Sequence, residues 1–520
     1  MRKPSLAGAS LIIAASYVVS NLAGFAARAI VNARFGTDVE QDAFRLAFNI
    51  PDLLFNLLAG GALASAFIPT YTGRLAANEH AQARALALRV MLLTATIIGV
   101  VGALAALAAP TIVDAFVAPG LPAEGRALTA ELMRIMLLST LIFAVSGLCM
   151  GILQSNGNFL APAIAPVLYN GGQIFGAAVL AVPFGAHGLA WGVVIGAVAH
   201  LLVQLPGVLR VLRALRASPA AGAQTHVSDD LRYILRVMPL RMIGSGAVYM
   251  NNIVRDNLAS RVSAGAVSAL NSAFATMILP QAVIAQAIGA ALFPTISAHA
   301  ARGDREAFAN TLARATNVVI ALAVPATAGL LVLGEPLIAL LFQRGRFDAQ
   351  ASQAVGAALA MSGLGLVGHC VLELVTRAFY ALKDNRPPVL LGVASVAVNI
   401  GLSLALLPIA AQWTSMPFIA LAASNSIATT LETAVLFALL ARRTPGLRVR
   451  GALLETARSL VASTGMALVA LGVLRALGSG APATIIALGA AVLAWLALAF
   501  ALRSEVATFV KAIADRRPSL

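Results

Sequence analysis

The chain has 520 residues, 60% of them hydrophobic and only 11% charged, and it carries a net charge of +15. A soluble protein of this length could not hide so much apolar surface, which excludes an ordinary water-soluble enzyme and makes nucleic-acid binding a poor account of the charge. Cys149 and Cys370 both fall in apolar stretches, so neither a disulfide framework nor a thiolate metal site is supported.

A membrane-spanning helix needs about 20 apolar residues. Runs of that kind are predicted at 8–33, 43–72, 87–112, 129–153, 161–182, 186–209, 231–258, 265–296, 315–342, 352–381, 387–409, 414–440, 452–476 and 481–502. This gives an all-α integral membrane protein with about 14 transmembrane helices. Aromatic residues are few and Ala and Gly many, which suits close helix packing in lipid. The MRK start followed by an apolar run imitates a signal peptide, but the run is long and the next span follows after a short loop.

Of the 36 Lys and Arg residues, 25 fall in loops on the side of the N-terminus, eight on the other side, and Arg28, Arg45 and Arg241 within spans. That asymmetry is the positive-inside pattern. Both termini are therefore expected in the cytoplasm, as an even number of spans requires.

Two stretches about 225 residues apart resemble each other: AFNIPDLLFNLLAGGALASAFIPT from Ala47 and AFATMILPQAVIAQAIGAALFPT from Ala273. Pro69 falls on Pro294, Pro110 on Pro336, Phe116 on Phe342 and Pro162 on Pro388. The expected organisation is an N-terminal six-helix lobe at 1–215, a cytoplasmic linker at 216–230, and a second six-helix lobe at 231–442. Two further helices and a short cytoplasmic tail follow at 443–520. Because each lobe holds an even number of spans, the repeat is parallel, with a pseudo-two-fold axis along the membrane normal. A nearly all-apolar duplicated chain of this kind is the signature of a secondary transporter working by alternating access.

Ionisable residues inside spans are costly and usually face a wet cavity or the protein interior. In span 2, Asp42, Arg45, Asn49, Asp52 and Asn56 step by three and four residues and share one helical face. Span 1 does the same with Tyr17, Asn21, Gly24 and Arg28, and span 7 with Arg241, Ser245, Asn252 and Arg255. Span 8 is milder, with Ser268, Ser272, Thr276, Gln281 and Gln286. The first two spans of each lobe are thus the expected walls of a cavity between the lobes. The plainer alternatives are an ion pair of Asp42 with Arg45 at a helix start and an interfacial anchor of Arg255 with Asp256.

His369, Glu373 and Arg377 stand at i, i+4 and i+8 in span 10. A His and a Glu on one face could hold a metal, but no further ligand is near, so an ion pair or a proton-linked pair is the expectation and no metal is assigned. Glu432 in span 12 stands alone as a second candidate for ion coupling. Gly60 and Gly61, and Gly289 at the matching place in the second lobe, each precede a Pro-Thr pair and are candidates for gating. There is no phosphate-binding loop, Walker lysine or nucleophile elbow, so no cofactor and no covalent catalysis are expected.

The segments LAGFAARAIVNARFG, QDAFRLAFNIPDLL, GGALASAFIPT, LFQRGRFD and RAFYALKDNRPPV, in that order, resemble the signature segments of the MurJ (MviN) family. These are lipid II flippases within the multidrug/oligosaccharidyl-lipid/polysaccharide exporter superfamily. The resemblance implies fourteen spans and a C-terminal helix pair lining a groove for a lipid tail. It also implies a place in the bacterial inner membrane, with lipid II and membrane lipids as partners, cell-wall synthesis proteins as further possible partners, and no nucleic acid. Members of the family carry cavity arginines in spans 1, 2 and 8. The aligned positions here are Asn21, Ala27, Phe55 and Ala275, whereas the family aspartate is kept as Asp42. Either Arg28, Arg45, Arg241 and Arg255 take over, or the cavity is less basic. The function expected is a flippase, not an enzyme, carrying lipid II from the cytoplasmic to the periplasmic leaflet. The rivals are a flippase for another polyprenyl-pyrophosphate-linked polysaccharide, a drug/cation antiporter, and a non-transporting scaffold.

Overall fold

The computed structural model of the chain describes residues 6–217, 223–447 and 449–507, and these form helices joined by short turns. In a bilayer every backbone N–H and C=O must be satisfied within the chain, and a helix does this segment by segment. In the first half the helices are α1 (Leu6–Phe35), α2 (Val39–Leu46), α3 (Asn49–Phe55), α4 (Gly61–Ala76), α5 (His80–Leu107), α6 (Ala109–Ile112), α7 (Ala123–Ser155), α8 (Leu160–Phe175), α9 (Ala181–Leu202), α10 (Leu205–Ala214) and α11 (Ala223–Ser260). In the second half they are α12 (Ala266–Gln281), α13 (Ala287–Arg302), α14 (Arg305–Phe342), α15 (Ala349–Gly363), α16 (Leu366–Ala381), α17 (Arg386–Trp413), α18 (Ile419–Arg443), α19 (Val449–Leu477) and α20 (Ala481–Ala501).

The all-α membrane architecture expected from the sequence is what the chain adopts. Among the described residues, nine helical stretches are long and apolar enough to cross a membrane, and the pair α15 and α16, bent by 45°, makes a tenth. Expected spans 2, 5 and 6 do not each form one separate apolar helix. Leu160–Ala214 counts once although its 55 residues span roughly 80 Å at 1.5 Å per residue, and Gly185 breaks it with φ 53°. The predicted second span is not one helix: it is α2, α3 and α4, interrupted by a turn at Ala47–Phe48 and a π-helical turn at Asn56–Gly60. α11 carries Arg241, Asn251 and Asn252 in its middle.

The chain divides into two compact units, Met1–Val267 and Ser268–Leu520. α11 packs with α3, α4 and α5 of the first unit. Of the expected linker 216–230, residues 218–222 lie outside the described part, and the remainder from Ala223 already belongs to α11. Residues 1–5 and 508–520 are also outside it, so the terminal charges Arg2, Lys3, Lys511, Arg516 and Arg517 have no structural account.

In the first unit, Phe67 and Tyr71 of α4 stack at 5.4 Å within a core that includes Leu86, Val90, Leu148, Ile152 and Ile234. α8 and α9 meet backbone to backbone. A Cβ placed on Gly172 would lie 2.3 Å from the Cα of Gly196, and one on Gly176 would lie 2.6 Å from the Cα of Gly192. Glycine at four-residue spacing is what permits this approach. In the second unit, α19 and α20 pack Met466, Ala470, Ala487 and Ala491 around Leu333 of α14.

The two C-terminal signature segments are turns. In LFQRGRFD, Gly345 has φ 61° and Asp348 caps α15 by accepting from the Ala351 N–H at 2.8 Å. In the segment from Arg377 to Val389, Lys383 takes the left-handed conformation, Asp384 pairs with Arg443, and proline at the first turn opens α17.

Candidate functional site

The polar residues singled out by the sequence separate into three places. The first is a basic corner of the first unit. Arg28 on α1 is exposed, and Arg45 on α2 is half-buried within electrostatic reach of both Arg28 and Asp42. The guanidinium of Arg45 lies over the Phe44 ring, 5.9 Å from its centre, and its buried Nε has no hydrogen-bond partner. Asn49 opens α3 one turn later, and its buried Nδ2 is likewise without a partner. α2 is fixed against α1 by Gln41, whose amide donates to Asn32 at 2.7 Å. Asn21 is exposed on α1, and Asn252 is half-buried on α11.

Asp42 does not line a cavity. It is fully buried, and its carboxylate accepts the backbone N–H of Gly265 at 2.7 Å. Gly265 has φ 81°, and a Cβ there would lie 2.1 Å from the carbonyl oxygen of Thr37. The aspartate thus ties the start of α2 to the turn after α11. Arg255 is held by its neighbour Asp256, with Nη2 at 2.8 Å from the carboxylate. Arg241 stands 14 residues earlier on α11, or roughly 21 Å along the helix axis, and its side chain lies outside the described part. The arginines of α11 therefore do not share one depth.

The second place is a cavity of about 570 Å³ inside the first unit, between α3, α4, α7, α8 and α9. Phe48, Phe55, Phe67, Phe143 and Tyr169 line it, and among the described residues Asp52 is its one carboxylate and there is no Lys or Arg. Phe143 is the hub: its ring meets Tyr169 at 4.8 Å, His200 at 5.3 Å and Phe55 at 5.9 Å, each nearly edge to face. Sequence reasoning gave Asp52 but missed Phe143, Tyr169 and His200, because an aromatic residue in an apolar span reads as core. The isolated polar tips of Tyr169 and His200 were the available signal, and Phe143 offered none. His200 is fixed by the Ser146 hydroxyl at 2.7 Å, and Ser146 also accepts from Gln204 at 2.8 Å.

The third place is in the second unit. Glu373 accepts from Arg377 Nη2 at 2.6 Å, so this pair is the intrahelical ion pair that the spacing predicts. His369 faces Asn425 of α18 at 3.3 Å. Glu432 is half-buried, with the Ser395 hydroxyl as its partner. No group of three His, Cys, Asp or Glu residues able to hold a metal exists among the described residues. Gly289 is a close-packing position: a Cβ there would lie 2.8 Å from Nε of Arg377. Gly60 ends the π turn and Gly61 begins α4.

One contact was missed altogether. Arg74, at the end of α4 outside the apolar stretch, makes a two-pronged bond to Asp230 of α11, at 2.8 and 2.9 Å, and reaches Glu79 at 2.5 Å. The bonds to Asp230, and then to Glu79, hold the Arg74 guanidinium well above the usual arginine pKa.

Comparison with known proteins places these features in a lineage. The profile of the family described as lipid II flippase MurJ matches residues 31–489. A lipid II flippase MurJ of Burkholderia cenocepacia is 32% identical over 404 residues, covering 75% of this chain and 76% of the relative. A probable lipid II flippase MurJ of Rhizobium tropici is 30% identical over 437 residues, covering 82% of this chain and 79% of that one. Among solved structures, a lipid II flippase MurJ in an inward closed conformation superposes with a TM-score of 0.78 at 21% identity, covering 95% of this chain and all of that one. An inward-facing multidrug resistance MATE family transporter gives 0.70 at 17% identity, covering 82% of this chain and 95% of that one. At these identities the structural likenesses speak for the fold.

Proposed function

We propose, because the chain belongs to the MurJ family of lipid II flippases, that it moves lipid II from the cytoplasmic to the periplasmic leaflet of the bacterial inner membrane. The carrying observation is the match over residues 31–489 together with 32% identity to a flippase across three quarters of both chains.

The physical task is to bring a pyrophosphate and a glycopeptide head through hydrocarbon while the prenyl tail stays in lipid. No bond is made or broken, so no catalytic group is called for. Arg45 and Arg28 are the cations suited to the pyrophosphate. Arg45 has a buried N–H without a partner, and a charge-assisted bond to phosphate oxygen satisfies it. Asn49, with its own unpartnered amide, suits a sugar or peptide oxygen. Arg255 already has Asp256, so its contribution to the anion is smaller. The internal repeat, 1–215 and 231–442, supplies two copies of one helical fold, which is what alternating access draws on. Both termini lie in the cytoplasm, and His369, Glu373 and Glu432 remain the candidates for ion coupling.

The test is rescue of a bacterium depleted of its own lipid II flippase. Expression of this chain restores growth and cell shape. Lysis despite confirmed membrane insertion, under conditions where a close homologue rescues, rules out lipid II as the substrate.

A further inference from the structure

The aromatic cavity of the first unit has the wrong charge for a pyrophosphate. We infer that it is a second binding site, for a lipophilic organic monocation, with Asp52 as the counter-ion and the Phe143 cluster as the wall.

The polar groups around the cavity are mostly committed elsewhere. Ser139 donates to the Met136 carbonyl at 2.6 Å, and Asn56 donates to the Asp52 carbonyl at 2.9 Å. His200 is bonded to Ser146, and the Tyr169 hydroxyl engages Gln173. The Asp52 carboxylate is different. It is exposed to the cavity and, among the described residues, has neither a hydrogen-bond donor nor a cation beside it, and Tyr169 and Tyr249 lie within reach of its charge. A lone carboxylate in an apolar setting is costly.

A metal ion fits the lining poorly, because hard cations take six or more oxygen ligands and the described residues offer one carboxylate among five aromatic rings. A large organic cation fits it well. Ring faces attract a desolvated cation, and the edge-to-face packing of Phe55, Tyr169 and His200 on Phe143 holds the rings in fixed orientations. The volume of about 570 Å³ falls within the range of small-molecule sites. The basic corner at Arg28 and Arg45 contributes no residue to this lining, so the two ligands differ in both place and sign.

The probe is ethidium, a planar monocation, set against dihydroethidium, its uncharged counterpart of nearly the same shape. Binding to the purified full chain in detergent is measured by equilibrium dialysis. Wild type binds ethidium at least tenfold more tightly than dihydroethidium. Asp52→Asn removes that preference, and Phe143→Leu weakens ethidium several-fold. Equal affinity of wild type for the two dyes overturns the proposal without reference to any variant. Undiminished ethidium binding by a folded Asp52→Asn protein overturns it as well. Either result leaves the flippase reading untouched, since that reading stands on rescue of growth.

Discussion

At the scale of single residues, the structure separates charges that the sequence places on one stripe. Asp42, Arg45 and Asp52 follow one helical spacing, yet Asp42 bonds a backbone turn, Arg45 lies in a basic corner and Asp52 faces an aromatic cavity. The stripe was legible because charges in apolar runs stand out. Its division was not, because it depends on the turn at Ala47–Phe48 and on partners more than 200 residues away, such as Gly265. Two predictions belong here. Losing a charged contact to pyrophosphate costs on the order of 1.5–3 kcal/mol, so Arg45→Ala lowers the flipping rate at limiting substrate roughly ten- to a hundredfold. Arg28→Ala acts in the same direction. Both are read from the fraction of lipid II reachable from the periplasm, at matched protein levels. Asp42→Ala leaves the buried Gly265 N–H unsatisfied, at a cost of about 1–3 kcal/mol. It lowers the thermal midpoint in detergent, whereas Asp42→Asn, which keeps an acceptor oxygen, lowers it less. Equal midpoints for the two variants would show that charge, and not the hydrogen bond, is what Asp42 supplies.

At the scale of helices, glycine marks close contact more often than freedom. Gly192 and Gly196 on α9 face Gly176, just past the end of α8, and Gly172 on α8, and this four-residue spacing is visible in the sequence. Which helix answers it is not visible, since many spans here are rich in glycine. Gly192→Leu forces α8 and α9 apart, because its Cβ alone would lie 2.5 Å from the Cα of Gly176. The expected outcome is a large loss of folded protein, measured by fluorescence-detected size exclusion, while Gly171→Leu, with open space at its Cβ, has little effect. Gly289, proposed as a gate, is also a seat for Arg377. Gly289→Ala displaces the guanidinium and loosens the pair with Glu373, and the loss is read as faster proteolysis near α13. Gly61 keeps its gating role as a proposal. Gly61→Leu lowers flipping more than protein amount and changes cysteine accessibility from one side of the membrane. Unchanged transport and unchanged two-sided accessibility would reduce this glycine to packing.

At the scale of the whole molecule, fold class was legible because hydrophobic runs and loop charges report directly on the bilayer. The form of single spans was less so, because π turns, bends and polar stripes break the link between a run and a helix. Orientation carries a direct prediction: single cysteines at 225 and 445 react with a membrane-impermeant reagent in opened cells and not in intact ones. Labelling of 225 in intact cells would reverse the topology. The π turns Asn56–Gly60 and Ala282–Gln286 each lead into a 16-residue helix, α4 and α13, and they sit at matching places in the two sequence copies. A π turn amounts to one extra residue accommodated inside an α-helix. The two neighbourhoods have since drifted apart, with LAGGALASAFIPT against AIGAALFPT, yet both keep the extra residue. Each half of the proposed repeat therefore carries its break at the same place, which gives the two halves the same point at which a helix can bend.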